Sequence, residues 1–141
     1  GAEKCEPCAS GTSSNVVGQN QPCPSCGAGT RSISSSGSTE CVDCSGGTFS
    51  DGGVDTCESC QAGKASSMTK ATSSDCSDCE AGKKSDSGSE ECEACESGKY
   101  SENVASNRCT SCPKGTFSAS ASTGCTDCTA GKYAASSGYE E

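Results

Sequence analysis

Sixteen cysteines fall into eight C-x-x-C pairs, and no cysteine stands outside a pair. The pairs are Cys5/Cys8, Cys23/Cys26, Cys41/Cys44, Cys57/Cys60, Cys76/Cys79, Cys92/Cys95, Cys109/Cys112 and Cys125/Cys128. Three residues after each second cysteine stands a glycine: Gly11, Gly29, Gly47, Gly63, Gly82, Gly98, Gly115 and Gly131. Thr or Lys always follows that glycine, and two residues further on comes Ser or, once, Ala134. Self-similarity at a fixed short period is the signature of a repeat protein. The units run 5–22, 23–40, 41–56, 57–75, 76–91, 92–108, 109–124 and 125–141, with no linker between them. The last unit stops where a ninth pair is due, so we expect one continuous array cut from a longer one.

Such a chain has to be held by its cysteines. Only 30% of its 141 residues are hydrophobic, cysteines included, and it has no Trp, one Met, two Phe and three Tyr. That is too little apolar surface to offset about 1–2 kcal/mol of backbone entropy per residue. A cysteine content above about a tenth marks a disulfide scaffold. Disulfides persist in oxidising compartments, which predicts an extracellular or cell-surface location. No apolar run approaches the ~20 residues of a membrane-spanning helix. The net charge of -9 argues against a nucleic-acid partner, which calls for a basic stripe.

No window shows helical periodicity. The fold class expected is a small disulfide-rich tandem repeat: an elongated rod of about eight short β-hairpin or loop units, without helix. In each unit the Gly-[T/K]-x-Ser piece starts a strand. Gly37, Gly52-Gly53 or Gly88 turns it, and the residues just before the next cysteine return it. The repeated glycine either needs φ > 0 or lets the backbone pass close to a neighbouring disulfide. Phe49, Tyr100, Phe117 and Tyr133 follow the Thr/Lys position and are expected to pack the joints between units.

The spacing of the pairs also suits zinc, but the chain has no His. A redox-active C-x-x-C needs one pair at a helix start, which eight equivalent pairs do not supply. Structural disulfides remain, in two regular schemes. One closes each polar loop on itself: Cys8–Cys23, Cys26–Cys41, Cys44–Cys57, Cys60–Cys76, Cys79–Cys92, Cys95–Cys109 and Cys112–Cys125, with Cys5 and Cys128 pairing outside the segment. The other interlocks the pairs two by two, as Cys5–Cys23 with Cys8–Cys26, and predicts two alternating loop types. The uniform Gly-[T/K] signature favours the first.

Cys95-Glu96-Ser97-Gly98-Lys99-Tyr100-Ser101, running on to Cys109-Thr110-Ser111-Cys112, resembles the ephrin-receptor-like cysteine-rich repeat. It is also similar to the first half of a tumour necrosis factor receptor module, of which Cys112-Pro113-Lys114-Gly115-Thr116-Phe117-Ser118 is a near-ideal copy. The resemblance implies an elongated, disulfide-bonded extracellular stalk and supports the loop-closing scheme. This chain repeats only the single-loop half of the receptor module.

The functional expectation is therefore structural: a disulfide-laddered rod forming a stalk, surface coat or fibre, and self-associating or continuing as the same array. A one-dimensional array touches only its nearest neighbours. At about 3.3 Å per strand residue, a folded-back unit advances on the order of 10–20 Å and eight units roughly 100 Å. The alternative is the ligand-binding ectodomain of a receptor or adhesin. Its best patch is the acidic cluster Glu90, Glu91, Glu93 and Glu96, the one place that could attract calcium or a basic partner. No ordered calcium-ligand series backs that cluster, and no cofactor is expected. Nothing in the chain stands apart as a catalytic residue, so no enzyme is expected. N-x-[S/T] sequons are missing. The serine runs at Ser34, Ser35, Ser36, Ser66, Ser67, Ser73, Ser74, Ser118, Ser120 and Ser122 are candidates for O-linked glycans.

Overall fold

The computed structural model describes residues 4–134. Seven disulfides close seven consecutive loops: Cys8–Cys23 (loop 1), Cys26–Cys41 (loop 2), Cys44–Cys57 (loop 3), Cys60–Cys76 (loop 4), Cys79–Cys92 (loop 5), Cys95–Cys109 (loop 6) and Cys112–Cys125 (loop 7). Their Cα atoms lie 5.5–5.9 Å apart. Cys5 and Cys128 are free thiols.

Six two-stranded antiparallel hairpins follow, each beside one disulfide. They pair β1 (Thr30–Ser32) with β2 (Cys41–Asp43), β3 (Thr48–Phe49) with β4 (Glu58–Ser59), and β5 (Lys64–Ala65) with β6 (Ser77–Asp78). β7 (Lys83–Lys84) pairs with β8 (Glu93–Ala94), β9 (Lys99–Tyr100) with β10 (Thr110–Ser111), and β11 (Thr116–Phe117) with β12 (Thr126–Asp127). A single bridge, Thr12 to Ser25, marks the same place in loop 1. The outgoing strand is the expected Gly-[T/K]-x piece. The returning strand is not the stretch before the next pair but the two residues inside it. The disulfide fixes the position, because it brings the next C-x-x-C alongside the strand that leaves the glycine. Each hairpin is sealed when the second cysteine of a pair donates its N–H to the preceding repeat glycine, as Cys60 does to Gly47 (2.8 Å) and Cys79 to Gly63 (2.9 Å). The described residues hold no α-helix; the exception to "no helix" is one 3-10 turn, Ser73–Asp75, in the longest loop.

The buried interior is sulfur and small side chains. Cys26, Cys44, Cys60, Cys79, Cys95 and Cys112 are almost wholly buried, and Cys76, Ala65, Ala71 and Ala134 complete the hydrophobic core of the described residues. Beside them run the buried serines of the repeat, among them Ser32, Ser50, Ser66, Ser85, Ser101 and Ser118. No buried side-chain polar atom among the described residues lacks a hydrogen-bond partner. That is the condition for burying hydroxyls without penalty.

Candidate functional site

The recurring site of this molecule is the joint between loops. It starts at a β-turn closed by the residue after each repeat glycine, whose N–H donates to the carbonyl three residues back (Thr48 to Ser45, 3.1 Å; Lys99 to Glu96, 3.0 Å). The glycine is the third residue of that turn, where φ must be positive; Gly47 has φ 76° and Gly63 φ 86°. The turn also explains why Thr and Lys alternate at the next position. Thr12, Thr30, Thr48 and Thr116 each donate a hydroxyl hydrogen bond to the same carbonyl, at 2.7–2.8 Å. Lys83 and Lys99 instead reach the carboxylates of Glu80 and Glu96 three residues back, at 3.2 and 2.9 Å.

Four hydrogen-bond rungs then join each loop to its neighbours. One is the hairpin seal. In the second, a repeat glycine donates to the small residue of the next unit: Gly29 to Ser50, Gly47 to Ser66, Gly63 to Ser85, Gly82 to Ser101, Gly98 to Ser118 and Gly115 to Ala134. In the third, the small residue donates forward, as Ser32 to Val54, Ser50 to Ala71 and Ser85 to Ser106. In the fourth, a residue of left-handed conformation in the loop tip donates back to the carbonyl of a pair's second cysteine. These bonds run from Gly37 to Cys8, Gly53 to Cys26, Lys70 to Cys44, Gly88 to Cys60, Ala105 to Cys79 and Ala121 to Cys95.

The same tip residue reaches one loop further. A Cβ built on Gly29 would lie 2.1 Å from the Lys70 carbonyl oxygen, and one on Gly63 would lie 1.9 Å from that of Ala105. The same contact joins Gly11 to Gly53, Gly47 to Gly88 and Gly82 to Ala121. The repeat glycine thus meets a backbone carbonyl two loops on, rather than a disulfide. Contact is not confined to nearest neighbours, because the tips of loops 3–7 each seat against the two preceding loops.

The expected site residues fare unevenly in this frame. Phe49 and Tyr100 are half-buried and bridge in parallel to Ala71 and Ser122 of the next loop, so they do sit at joints; Phe117 is also half-buried. Tyr133 is 83% exposed and packs no joint, since no described loop follows it. Ser66 and Ser118 cannot carry a sugar as placed. Both are buried repeat serines, and the Ser118 hydroxyl donates to the Lys99 carbonyl at 3.0 Å. Ser34, Ser35, Ser36, Ser67, Ser73, Ser74 and Ser120 are exposed and Ser122 half-buried. The acidic cluster is divided between lysines: Glu93 pairs with Lys84 and Glu96 with Lys99, both at 2.9 Å. The hydrogen bond from Lys99 holds the Glu96 carboxyl below its usual range, and Glu93 holds Lys84 above its own. No group of three or more His, Cys, Asp or Glu among the described residues is arranged to hold a metal ion.

A family model described as tyrosine-protein kinase ephrin type A/B receptor-like matches residues 82–120. Those residues are similar to an ephrin-receptor-like cysteine-rich segment. The matched segment opens on the turn glycine Gly82, encloses loop 6 and ends beyond the turn of Gly115, so it spans the joint just described, together with the loop it holds. It is a disulfide-bonded segment, closed by Cys95–Cys109. No curated protein matches the chain.

What the sequence did not reveal are Lys70, Ala105 and Ala121, which take the left-handed conformation without being glycine (φ 63°, 54° and 61°). Their signal was positional, since each occupies the place of Gly37, Gly53 and Gly88.

Proposed function

We propose that this chain is a mechanical element of an extracellular structure: a disulfide-laddered rod serving as a stalk, coat or fibre component. The observation that carries this is the two-step coupling of loops: every described loop is covalently closed, and the tips of loops 3–7 are each bonded to the loop before and packed against the loop before that. Pulling on such an array loads several loops at once, and no loop can extend beyond its disulfide. The joints use backbone groups, so the repeat tolerates free variation of its outer residues, which is what a spacer requires. We read the chain as non-catalytic and free of cofactor, its chemistry being spent on cross-links.

A second reading, a ligand-binding receptor ectodomain, is favoured by the ephrin-receptor-like match. Its best surface is the shallow groove between Lys84, Glu93, Glu96, Lys99 and Arg108. Small-angle scattering of the oxidised chain tests the rod. We expect a radius of gyration well above the about 14 Å of a 141-residue globule. A value near that figure would remove the proposal. Capture of a defined soluble partner by a monomeric chain, lost on Lys99→Ala or Arg108→Ala, would favour the receptor.

A further inference from the structure

The contacts between alternate loops sort the array into two columns. Gly29–Lys70 and Gly63–Ala105 join loops 2, 4 and 6; Gly11–Gly53, Gly47–Gly88 and Gly82–Ala121 join loops 1, 3, 5 and 7. The columns differ in chemistry. Loops 3, 5 and 7 all close at a separation of 13 residues, whereas loops 2, 4 and 6 close at 15, 16 and 14; the end loop 1 closes at 15. Loops 2, 4 and 6 each carry one large exposed apolar side chain: Ile33 (45% exposed), Met68 (54%) and Val104 (63%). Loops 3, 5 and 7 expose no large one; in their column only the end loop, loop 1, does, with Val16 (63%) and Val17 (99%) side by side.

Charge follows the same division. The C-x-x-C connectors hold Glu6, Asp43, Glu58, Asp78, Glu93 and Asp127 and no cation. Loops 2, 4 and 6 set five cations (Arg31, Lys64, Lys70, Lys99, Arg108) against four carboxylates. Lys64 and Lys70 also pair with the connector residues Asp78 (2.6 Å) and Asp43 (3.3 Å). In a chain of net charge -9 this column is the edge that two copies can bring together with least repulsion.

We propose that the column of loops 2, 4 and 6 is a lateral contact surface for a second copy of this chain, with Ile33, Met68 and Val104 as its anchors. The partner is a second copy because the anchors recur every second loop, a pitch that a like array matches along its whole length. Three partly exposed side chains cover far less than the ~800 Å² per partner of a stable complex, so an eight-unit array associates weakly and longer arrays progressively more tightly. The inference deepens the rod reading and rests on it.

The test is sedimentation and small-angle scattering of the oxidised Cys5→Ser/Cys128→Ser chain, which excludes intermolecular disulfides, up to about 1 mM protein. We expect reversible dimers whose cross-section is larger than the monomer's at nearly unchanged length, and which survive raised salt. Ile33→Ser/Met68→Ser/Val104→Ser should weaken association at least about tenfold. Val17→Ser, on loop 1 of the other column, should leave it unchanged. Intact mass showing seven disulfides verifies each variant. A chain that stays monomeric throughout, dimers of doubled length, or a triple variant that associates like the parent would overturn the edge while leaving the rod standing. A compact monomer would remove the rod itself.

Discussion

At the residue scale, the repeat glycine is fixed by two demands that other residues meet only singly. Gly63 is in the left-handed region, and its missing Cβ leaves room for the Ala105 carbonyl. Gly18 is also left-handed, at φ 71°, but nothing lies within 4 Å of a Cβ there. Replacing Gly18 with Ala should therefore cost only the conformational penalty of about 1–2 kcal/mol, and Gly63→Ala distinctly more, because the backbone of loop 6 must move. Conversely, Ala105→Gly and Ala121→Gly should stabilise by about 0.5–1 kcal/mol. Thermal unfolding under non-oxidising, non-reducing conditions ranks all four. The glycine was legible in the sequence because it recurs without exception. Its carbonyl partner was not, since the partner's identity varies among Gly, Lys and Ala while its backbone does not.

Titration belongs to the same scale. Thr72 donates through its backbone N–H and its hydroxyl to Asp75, both at 2.8 Å, which holds that carboxyl below its usual range, as Lys99 does for Glu96. A carboxyl whose folded pKa is depressed stabilises the fold above its unfolded pKa, and that contribution is lost as pH falls through the folded value. The chain should accordingly lose a little stability below the ordinary carboxylate range, and Asp75→Asn with Glu96→Gln should flatten that slope. Both groups are at the surface, so the effect is small and shrinks with salt. Acid titration of the unfolding midpoint measures it.

At the scale of the element, each loop is a hairpin too small to stand alone, since isolated two-stranded hairpins are marginal at best. In the chain-entropy account the disulfide of a loop this size contributes about 3 kcal/mol. Removing Cys79 and Cys92 together by Ala substitution should cost about 2–4 kcal/mol. It should also raise amide exchange in loops 3, 4, 6 and 7, because loop 5 is seated on the two before it and supports the two after. Exchange changes confined to loop 5 would contradict that coupling. Hairpins and their outgoing strands could be read from Gly-[T/K]-x-Ser, but the returning strand could not. Its residues, such as Glu58-Ser59 and Thr110-Ser111, are polar and exposed, with no alternation to announce them. What sets them in place is the cross-link.

At the scale of the whole molecule, a chain with almost no apolar interior is ordered by a column of sulfur and a ladder of backbone hydrogen bonds. The tandem organisation was evident from the cysteine spacing. The division into two columns was not read, although loop lengths alternate from loop 2 onward, because every unit shares one signature and the overlap is made by loop tips whose residue varies among Gly, Lys and Ala. The claim on which this rests is that cross-links stand in for a core, and amide hydrogen exchange with and without reductant tests it most directly. In the oxidised chain the N–H groups of Cys44, Cys60, Cys79, Cys95 and Cys112, each bonded to a repeat glycine, should exchange slowly; on reduction that protection should vanish along the whole array. Protection at those amides that outlasts full reduction would contradict the account.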